Sequence, residues 1–341
     1  MGELPFRMLG VTAAMPPVAL ADTLRLAELV EQRGLGMVAV GDVHSDCFSM
    51  LGAFAARTSR VELFASIAGW TRSPVATAIA ARTLHEVSGG RFRLGLGPMP
   101  KQWSEDWHGV DYAHPAERMR DYVAAIRAAM RAGLGAPAEH AGPYYRFHGF
   151  QRAVPPPQDA DPPIYLGATR ARMTQLAGEV ADGAILNVVS TLAWIEDVQV
   201  PALERGLARS GRTRADLDVG VAVLCAIDDD AERAFAMARL GLAFYLIAPY
   251  FTDLLRHHGF DREVETAVPA ALAGDYAAAA AALRPELIER MALFGTADDV
   301  RRQAARYAGI VDFLQLTPPI GNPAGVIQEQ SERIVATFGV R

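Results

Sequence analysis

Residues 162–187 read PPIYLGATRARMTQLAGEVADGAILN, and this stretch decides the fold. Two short apolar runs, at residues 163–167 and 184–187, predict buried strands. Between them, apolar residues recur at helical spacing on one face, namely Met173, Leu176, Ala177 and Val180. A strand, a helix and a second strand in this order predict a parallel βαβ unit with a right-handed crossover.

The same alternation extends along the chain in both directions. Six further apolar runs predict strands, at residues 7–13, 37–41, 61–67, 92–96, 219–226 and 311–316. After the third strand, Ser73 and Pro74 are typical of a helix start, and Gly89-Gly90 is typical of its end. Pro115 predicts the start of the next helix. Eight strand–helix pairs predict an α/β protein with a (β/α)8 TIM barrel rather than an open, doubly wound sheet.

We expect residues 1–341 to form a single TIM-barrel domain with three insertions. These lie at about residues 98–115, 135–162 and 229–290. The second contains HAGPYYRFHGF and predicts a surface hairpin, whereas the third has helical periodicity and precedes the last strand.

Composition and charge favour small-molecule chemistry. The net charge of −6 and the lack of a dense Lys/Arg run argue against nucleic-acid or membrane-surface partners. Cys47 and Cys225 fit no disulfide framework or metal-binding spacing, so we expect no metal site. The N-terminal sequence does not resemble a signal peptide, and no apolar run reaches the ~18 residues of a membrane span. These features predict a cytoplasmic protein that acts on a small-molecule substrate.

In a barrel of this kind, the chemistry lies at the carboxyl ends of the strands. The second strand is followed by GDVHSD, where Asp42 and His44 are candidates for an acid/base pair. The alternative is that His44 is an exposed loop residue.

The fifth strand leads into a helix through Ala168, Thr169 and Arg170, and the helix N-terminus suits a phosphate, with Arg170 or Arg172 adding charge. The alternative there is an ordinary N-cap by Thr169.

Two strings carry a family resemblance. ARTLHEVSGGRFRLGLGP, at residues 81–98, resembles the signature region of luciferase-like monooxygenases, and residues 162–187 resemble a second one. With TRSP at 71–74 and LFGTADDVRRQAARYAGIVDFLQLTPPIG at 293–321, the chain looks most like the methylenetetrahydromethanopterin-reductase branch. The resemblance implies a barrel of the bacterial-luciferase type. It also implies an oxidoreductase dependent on coenzyme F-420, a deazaflavin that exchanges a hydride with a small organic substrate.

The resemblance further implies which residues bind the cofactor. A phosphate-binding turn follows strand five, glycine and proline follow strand four, and a non-prolyl cis peptide is expected around residues 65–67 behind the deazaflavin ring. The implied cofactor residues are Ser66, Ile67, Gly97, Pro98, Gly167, Ala168, Thr169, Arg170, Asn187 and Val188.

The sequence departs from the branch pattern at the cofactor and substrate end. Asp42 is followed by Val43 where the family commonly has a histidine, and His44 comes one residue later. Thr12 stands where the reductases carry an acidic residue, and Met99-Pro100 stands where they carry Gly-Asp. We therefore expect a substrate other than the methanogen pterin.

Two alternative functions fit the same resemblance. One is a two-component flavin monooxygenase that takes reduced FMN from a separate reductase. The other is a catalytically silent homologue that binds a cofactor. The resemblance also implies a homodimer.

Overall fold

The computed structural model describes residues 4–13, 17–42, 45–155, 157–247 and 251–340. They cluster into two compact units. The first compact unit comprises Met1–Ala39, Ile185–Pro201 and Val219–Arg341, and the second comprises Val40–Ala184 and Ala202–Asp218. His44, a predicted catalytic residue, lies outside the described residues.

The strands are β1 (Met8–Thr12), β2 (Met37–Val40), β3 (Glu62–Gly69), β4 (Phe92–Gly97), β5 (Ala138–Ala141), β6 (Arg146–Phe150), β7 (Ile164–Ala168), β8 (Gly183–Leu186), β9 (Asp218–Ile227), β10 (Ala292–Gly295) and β11 (Phe313–Thr317). The α-helices are α1 (Leu20–Gln32), α2 (Cys47–Ala55), α3 (Pro74–Val87), α4 (Pro115–Met130), α5 (Ala171–Val180), α6 (Leu192–Trp194), α7 (Val200–Ser210), α8 (Ala231–Tyr245), α9 (Thr252–His257), α10 (Asp261–Leu272), α11 (Tyr276–Ala282), α12 (Pro285–Met291), α13 (Ala297–Ala304) and α14 (Ala324–Phe338).

Within the first compact unit, the strands run parallel in the order β10-β9-β11-β1-β2. Phe313 of β11 lies opposite Met8 of β1 and also opposite Gly220 of β9. A Cβ atom on Gly220 would lie 2.1 Å from the Phe313 ring, so the ring occupies the space that a side chain would need. β9 is buried along almost its whole length, as expected for a parallel strand covered on both faces.

The insertion helices of the first compact unit build a hydrophobic cluster of their own. Buried side chains of α8, α9, α10 and α12 pack with Leu224 of β9. Val188, Val189 and Trp194, from the segment that follows β8, belong to the same cluster. The insertion is thus packed against the end of β8.

Within the second compact unit, β3, β4 and β7 are parallel neighbours, and Leu94 of β4 lies opposite Ile164 of β7. The helix predicted after β3 is confirmed: Ser73 Oγ accepts the Ala76 N–H at 3.2 Å, and Pro74 is the first residue of α3. Helices α5 and α7 meet at glycines. A Cβ atom on Gly206 would lie 2.1 Å from the Gln175 carbonyl oxygen, so only glycine allows this approach.

The predicted surface hairpin is confirmed as the antiparallel pair β5–β6. Asp121 of α4 holds its turn. One carboxylate oxygen lies 2.7 Å from His140 Nε2, and the other accepts the N–H groups of Tyr144 and Tyr145 at 2.8 Å each. The Asp121 side chain is buried, so the hairpin turn is fixed to α4 by a desolvated carboxylate.

The eight strands predicted from the sequence are all present, and the (β/α)8 barrel is confirmed. β10 was not predicted. It has only four residues and follows α12 directly, so its apolar side chains continue the pattern of that helix. The single-domain organisation stays a prediction. Among the described residues, no helix combines the length and the apolar character needed to cross a bilayer.

Candidate active site

The ends of β3, β4 and β7 meet in the second compact unit. The peptide bond between Ser66 and Ile67 is cis, which confirms the expectation for residues 65–67. The β3–β4 register shifts between Ala65 and Ala68, on either side of this bond. Ala65 and Ala68 are buried, whereas Ser66 and Ile67 are half-buried. After Glu62 at its start, the Ser66–Ile67 pair is therefore the part of β3 that reaches solvent.

Two glycines leave room for the Ile67 side chain. A Cβ atom on Gly97 would lie 2.2 Å from Ile67 Cδ1, and one on Gly167 would lie 3.0 Å from Ile67 Cγ2. A Cβ atom on Gly41 would lie 3.0 Å from the Ser66 carbonyl oxygen. Ile67 is thus packed against two strand ends that have no side chains. We call Ile67, Gly97 and Gly167 the glycine cradle, and its half-buried apolar surface suits a planar ring.

Helix α5 begins immediately after β7. Its N-cap is Arg170, not Thr169, and the Arg170 side chain forms no capping hydrogen bond. The Arg170 carbonyl accepts the N–H of Thr174 at 3.0 Å and its hydroxyl at 2.9 Å. The N-cap role proposed for Thr169 is therefore wrong. The N-terminal end of α5 presents backbone N–H groups and the positive end of the helix dipole, which favour an anion.

The two arginines considered for this end of α5 differ in their surroundings. Arg172 forms an ion pair with Glu117 of α4, so a carboxylate already balances the charge of Arg172. Arg170 is exposed and lies near Tyr112: burial raises the pKa of Tyr112, and the positive charge of Arg170 acts in the opposite direction. The positive charge nearest the start of α5 is thus Arg170.

Asp42 is attached to the same region through its backbone. Its N–H donates to the Ile67 carbonyl at 2.9 Å. Its carboxylate accepts the Cys47 N–H at 3.4 Å and lies 3.8 Å from Arg72 Nε. Because His44 is not described, the predicted Asp42–His44 pair stays a prediction, and Arg72 is the charged partner of Asp42 that the structure describes.

Cys47 is close to Asp42 but is not suited to nucleophilic chemistry. Burial raises the pKa of its thiol well above the ordinary value, and the negative charges of Asp42 and Asp46 raise it further. The thiol is therefore protonated at neutral pH, and the reactive form of a cysteine is the thiolate.

Sequence reasoning missed a cluster of aromatic and basic side chains beside the cradle. Trp70, the buried residue after β3, donates from Nε1 to Ser104 Oγ at 3.2 Å and meets the Tyr112 ring at 5.4 Å. The Arg118 guanidinium lies 5.3 Å from the Trp70 ring centre and 5.6 Å from that of Tyr145. The sequence signal that could have identified this cluster was the position of Trp70 just after the third strand.

The remaining predicted cofactor residues, Asn187 and Val188, belong to the first compact unit and follow β8. The Asn187 carbonyl accepts the Ser190 N–H at 2.9 Å, and its side-chain oxygen accepts the Val189 N–H at 3.3 Å. These bonds form a tight turn. Val188, Val189 and Ser190 are buried, and Asn187 is the half-buried residue of this turn.

Thr12, at the end of β1 in the first compact unit, belongs to a neutral hydrogen-bonded group. Its hydroxyl lies 2.9 Å from the Thr317 hydroxyl and accepts from Gln315 Nε2 at 2.8 Å. All three side chains are buried.

Within the part of the chain that the structure describes, no group of three or more His, Cys, Asp or Glu side chains is arranged to bind a metal ion.

Comparisons with known proteins find relatives over nearly the whole chain. The sequence profile of the luciferase-like monooxygenases matches residues 6–312. A 5,10-methylenetetrahydromethanopterin reductase from Methanolobus tindarius is 29% identical over 314 residues, which is 91% of this chain and 92% of the relative. A putative coenzyme F-420-dependent oxidoreductase from Mycobacterium tuberculosis is 30% identical over 325 residues, covering 87% of this chain and 89% of the relative.

Solved structures show the same fold. The F-420-dependent tetrahydromethanopterin reductase from Methanopyrus kandleri superposes with a TM-score of 0.83 at 24% identity and covers 99% of both chains. The oxygenating constituent of 3,6-diketocamphane monooxygenase from Pseudomonas putida, solved with FMN, gives a TM-score of 0.70 at 16% identity and covers 98% of both chains.

The relatives assign the chain to the F-420- or flavin-dependent oxidoreductases. The chain belongs to the luciferase-like monooxygenase family.

Proposed function

We propose that this protein is a coenzyme F-420-dependent oxidoreductase that transfers a hydride between the deazaflavin and a small organic substrate. The observation that carries the proposal is the glycine cradle, because Gly97 and Gly167 let Ile67 lie against the ends of β4 and β7, where its half-buried apolar side chain can support a planar ring. The name of the Mycobacterium relative supports F-420 over FMN. The FMN complex of the Pseudomonas neighbour supports FMN as the alternative.

The predicted cofactor residues fall into two groups in the second compact unit. Ser66, Ile67, Gly97 and Pro98 would support the ring, and the turn from Gly167 to Arg170, through Ala168 and Thr169, would bind the phosphate. Asn187 and Val188 are proposed as further contacts. When bound, the deazaflavin supplies two-electron hydride chemistry, while the protein supplies binding, orientation and electrostatics.

The residues of this chain have distinct proposed roles. Ile67 excludes water from one face of the ring because its exposed surface is apolar. Arg170 and the start of α5 neutralise the phosphate. Asp42, with His44, holds or accepts a proton at the substrate. Arg72 Nε lies 3.8 Å from the Asp42 carboxylate and is placed to keep this side chain oriented.

Replacing Arg170 with alanine is expected to weaken F-420 binding about tenfold at low salt, because a charge-assisted contact to phosphate is lost. The difference in F-420 affinity between the variant and the wild type shrinks as the salt concentration rises, because screening weakens the Arg170–phosphate contact in the wild type. Fluorescence titration at two salt concentrations measures both effects. Arg172→Ala is the matched control, because Arg172 is bound to Glu117. Equal affinities for Arg170→Ala and the wild type would refute the phosphate assignment.

Replacing Asp42 with asparagine is expected to slow the oxidation of reduced F-420 by a panel of carbonyl and alkene acceptors about a hundredfold, because general acid–base catalysis contributes this much. The melting temperature should stay close to the wild-type value, since Asp42 forms only a weak 3.8 Å ion pair and a 3.4 Å hydrogen bond. Fluorescence of oxidised F-420 measures the rate. Wild-type turnover in the variant would remove Asp42 from the catalytic residues.

Titration of the purified protein with F-420 and with FMN, each oxidised and reduced, separates the candidate functions. Micromolar binding of F-420 without FMN binding supports the proposal. Binding of reduced FMN alone supports the two-component monooxygenase with its separate reductase. Binding of F-420 without turnover on any acceptor supports the silent homologue.

The homodimer and the cytoplasmic location stay predictions. Sedimentation analysis of the purified protein tests the homodimer.

A further inference from the structure

A half-buried cation lies on the aromatic cluster beside the glycine cradle. Arg118 is near the start of α4, and its guanidinium contacts the rings of Trp70 and Tyr145. Its Nε donates to the Tyr145 hydroxyl at 3.2 Å, and its Nη1 donates to the Asp111 carbonyl. The Asp111 carboxylate accepts the Ala113 N–H instead. The proposed hydride transfer uses none of these contacts.

The positive charge of Arg118 has no carboxylate partner among the described residues. The acidic residues on either side of it in α4 are engaged elsewhere. Glu117 pairs with Arg172, and the buried Asp121 carboxylate binds His140 and the backbone of the hairpin. A guanidinium has five N–H donors, and the structure describes no acceptor for Nη2. Arg118 therefore combines unused donors with an uncompensated charge.

This placement is unfavourable for the helix itself. A cation near the start of a helix meets the positive end of the helix dipole, and partial burial removes water from the charge. The contacts with Trp70 and Tyr145 offset part of this cost. By contrast, Arg120 and Arg127 of the same helix each pair with a carboxylate. A half-buried guanidinium without a counter-ion is suited to an anionic ligand.

Arg118 lies at the end of the second compact unit where the proposed cofactor residues lie. Helix α4 begins after the loop that follows β4, so its start lies at the carboxyl end of the strands. The ion pair between Glu117 and Arg172 joins the first turns of α4 and α5. Trp70, which carries the guanidinium on its ring, follows β3 directly and comes three residues after Ile67. Arg118 is thus a side chain of the mouth rather than of the outer barrel surface.

We propose that Arg118 binds a carboxylate of the organic substrate and gives the site a preference for anionic over neutral acceptors. The planar guanidinium matches the geometry of a carboxylate and can donate two parallel hydrogen bonds, from Nη2 and from the second hydrogen of Nη1. The contacts with Trp70 and Tyr145 hold the guanidinium in place before the ligand binds, which lowers the entropy lost on binding. The inference rests on the proposed function, because it assigns the anion to the acceptor that exchanges the hydride.

Ligand-observed NMR with crotonate, benzoate and trans-cinnamate, each paired with its neutral amide, measures this preference with and without F-420. The wild type should bind at least one acid about tenfold or more tightly than its amide, the effect of a hydrogen-bonded charge pair. Arg118→Gln should bind that acid and its amide alike. A wild type that prefers none of the acids, or a preference that persists in Arg118→Gln, would overturn the proposal.

Further variants separate ligand binding from a structural role of Arg118. Tyr145→Phe removes the acceptor of the Nε bond but keeps the ring and the charge, so the preference should remain. Arg120→Gln is the matched control, because it removes from the same helix a charge that Glu179 already balances. Arg118→Lys should keep a preference of a few-fold, since it retains the charge without the planar fork. If Tyr145→Phe lost the preference as completely as Arg118→Gln, Arg118 would act through the fold and the proposal would fail.

The affinity for F-420 separates this inference from the proposed function. If F-420 did not bind while Arg118 still selected acids, the proposed function would fail and the carboxylate site would stand. If F-420 bound while the wild type showed no preference for acids, the reverse would hold. An anionic group of the cofactor has the same chemistry as a substrate carboxylate. A tenfold loss of F-420 affinity in Arg118→Gln, with the preference for acids unchanged, would assign the anion to the cofactor and overturn the substrate assignment.

Discussion

Replacing Gly97 with alanine is expected to raise the dissociation constant for F-420 about thirtyfold or more. The added Cβ atom would lie 2.2 Å from Ile67 Cδ1, so Ile67 must move and the cradle surface moves with it. Overpacking of this kind costs ~1–3 kcal/mol, and a loss of ~2 kcal/mol in binding corresponds to about thirtyfold. Fluorescence titration with F-420 measures the affinity, and thermal melting measures the stability.

A second substitution distinguishes a displaced Ile67 from a general defect. Ile67→Val removes the Cδ1 atom that the new methyl group would strike, so Gly97→Ala combined with Ile67→Val should melt at a higher temperature than Gly97→Ala alone. Gly325→Ala is the matched control, because a Cβ atom there meets nothing within 4 Å. Wild-type affinity in Gly97→Ala would show that the cradle does not support the cofactor.

Replacing Asp121 with alanine is expected to lower the free energy of unfolding by about 2–4 kcal/mol. The substitution leaves the N–H groups of Tyr144 and Tyr145 and the His140 ring without their acceptor, at a position that is 6% exposed. The hairpin turn then loses these three contacts with α4 and keeps the contact between Arg118 and Tyr145. Urea unfolding gives the stability change, and limited proteolysis reports on the hairpin itself.

The control for Asp121 lies in the same hairpin. Glu139 pairs with His148, but the two side chains are 72% and 88% exposed, so Glu139→Ala should change stability by less than ~1 kcal/mol. If Asp121→Ala were no more destabilising than Glu139→Ala, the buried carboxylate would not be what holds the turn.

The sequence predicted those features that depend on neighbouring residues. Apolar runs located the barrel strands, and Ser73-Pro74 located the start of α3, because strand burial and helix capping are local patterns. The strand-to-helix turn at Gly167 was found for the same reason.

Features that depend on pairing between distant residues were not predicted. The Asp42–Arg72 contact joins residues that follow different strands, and the Arg118 guanidinium reaches both Trp70 and Tyr145. Thr169 carries a good capping side chain, yet the chain enters α5 one residue later, so composition pointed to the wrong N-cap. Arg170 has no capping side chain, which is the difference that leaves this helix end suited to an anion.

The close approach of α5 and α7 has a thermodynamic consequence for ligand capture. Gly206 lets the backbone of α7 rest on the Gln175 carbonyl, and Gly178 of α5 contributes to the same contact, so main-chain atoms of the two helices pack directly against each other, in addition to the side-chain contacts of α5. The amide groups at its start are then already ordered before the proposed phosphate binds. Little conformational entropy is lost on binding, which is the advantage of a preorganised site.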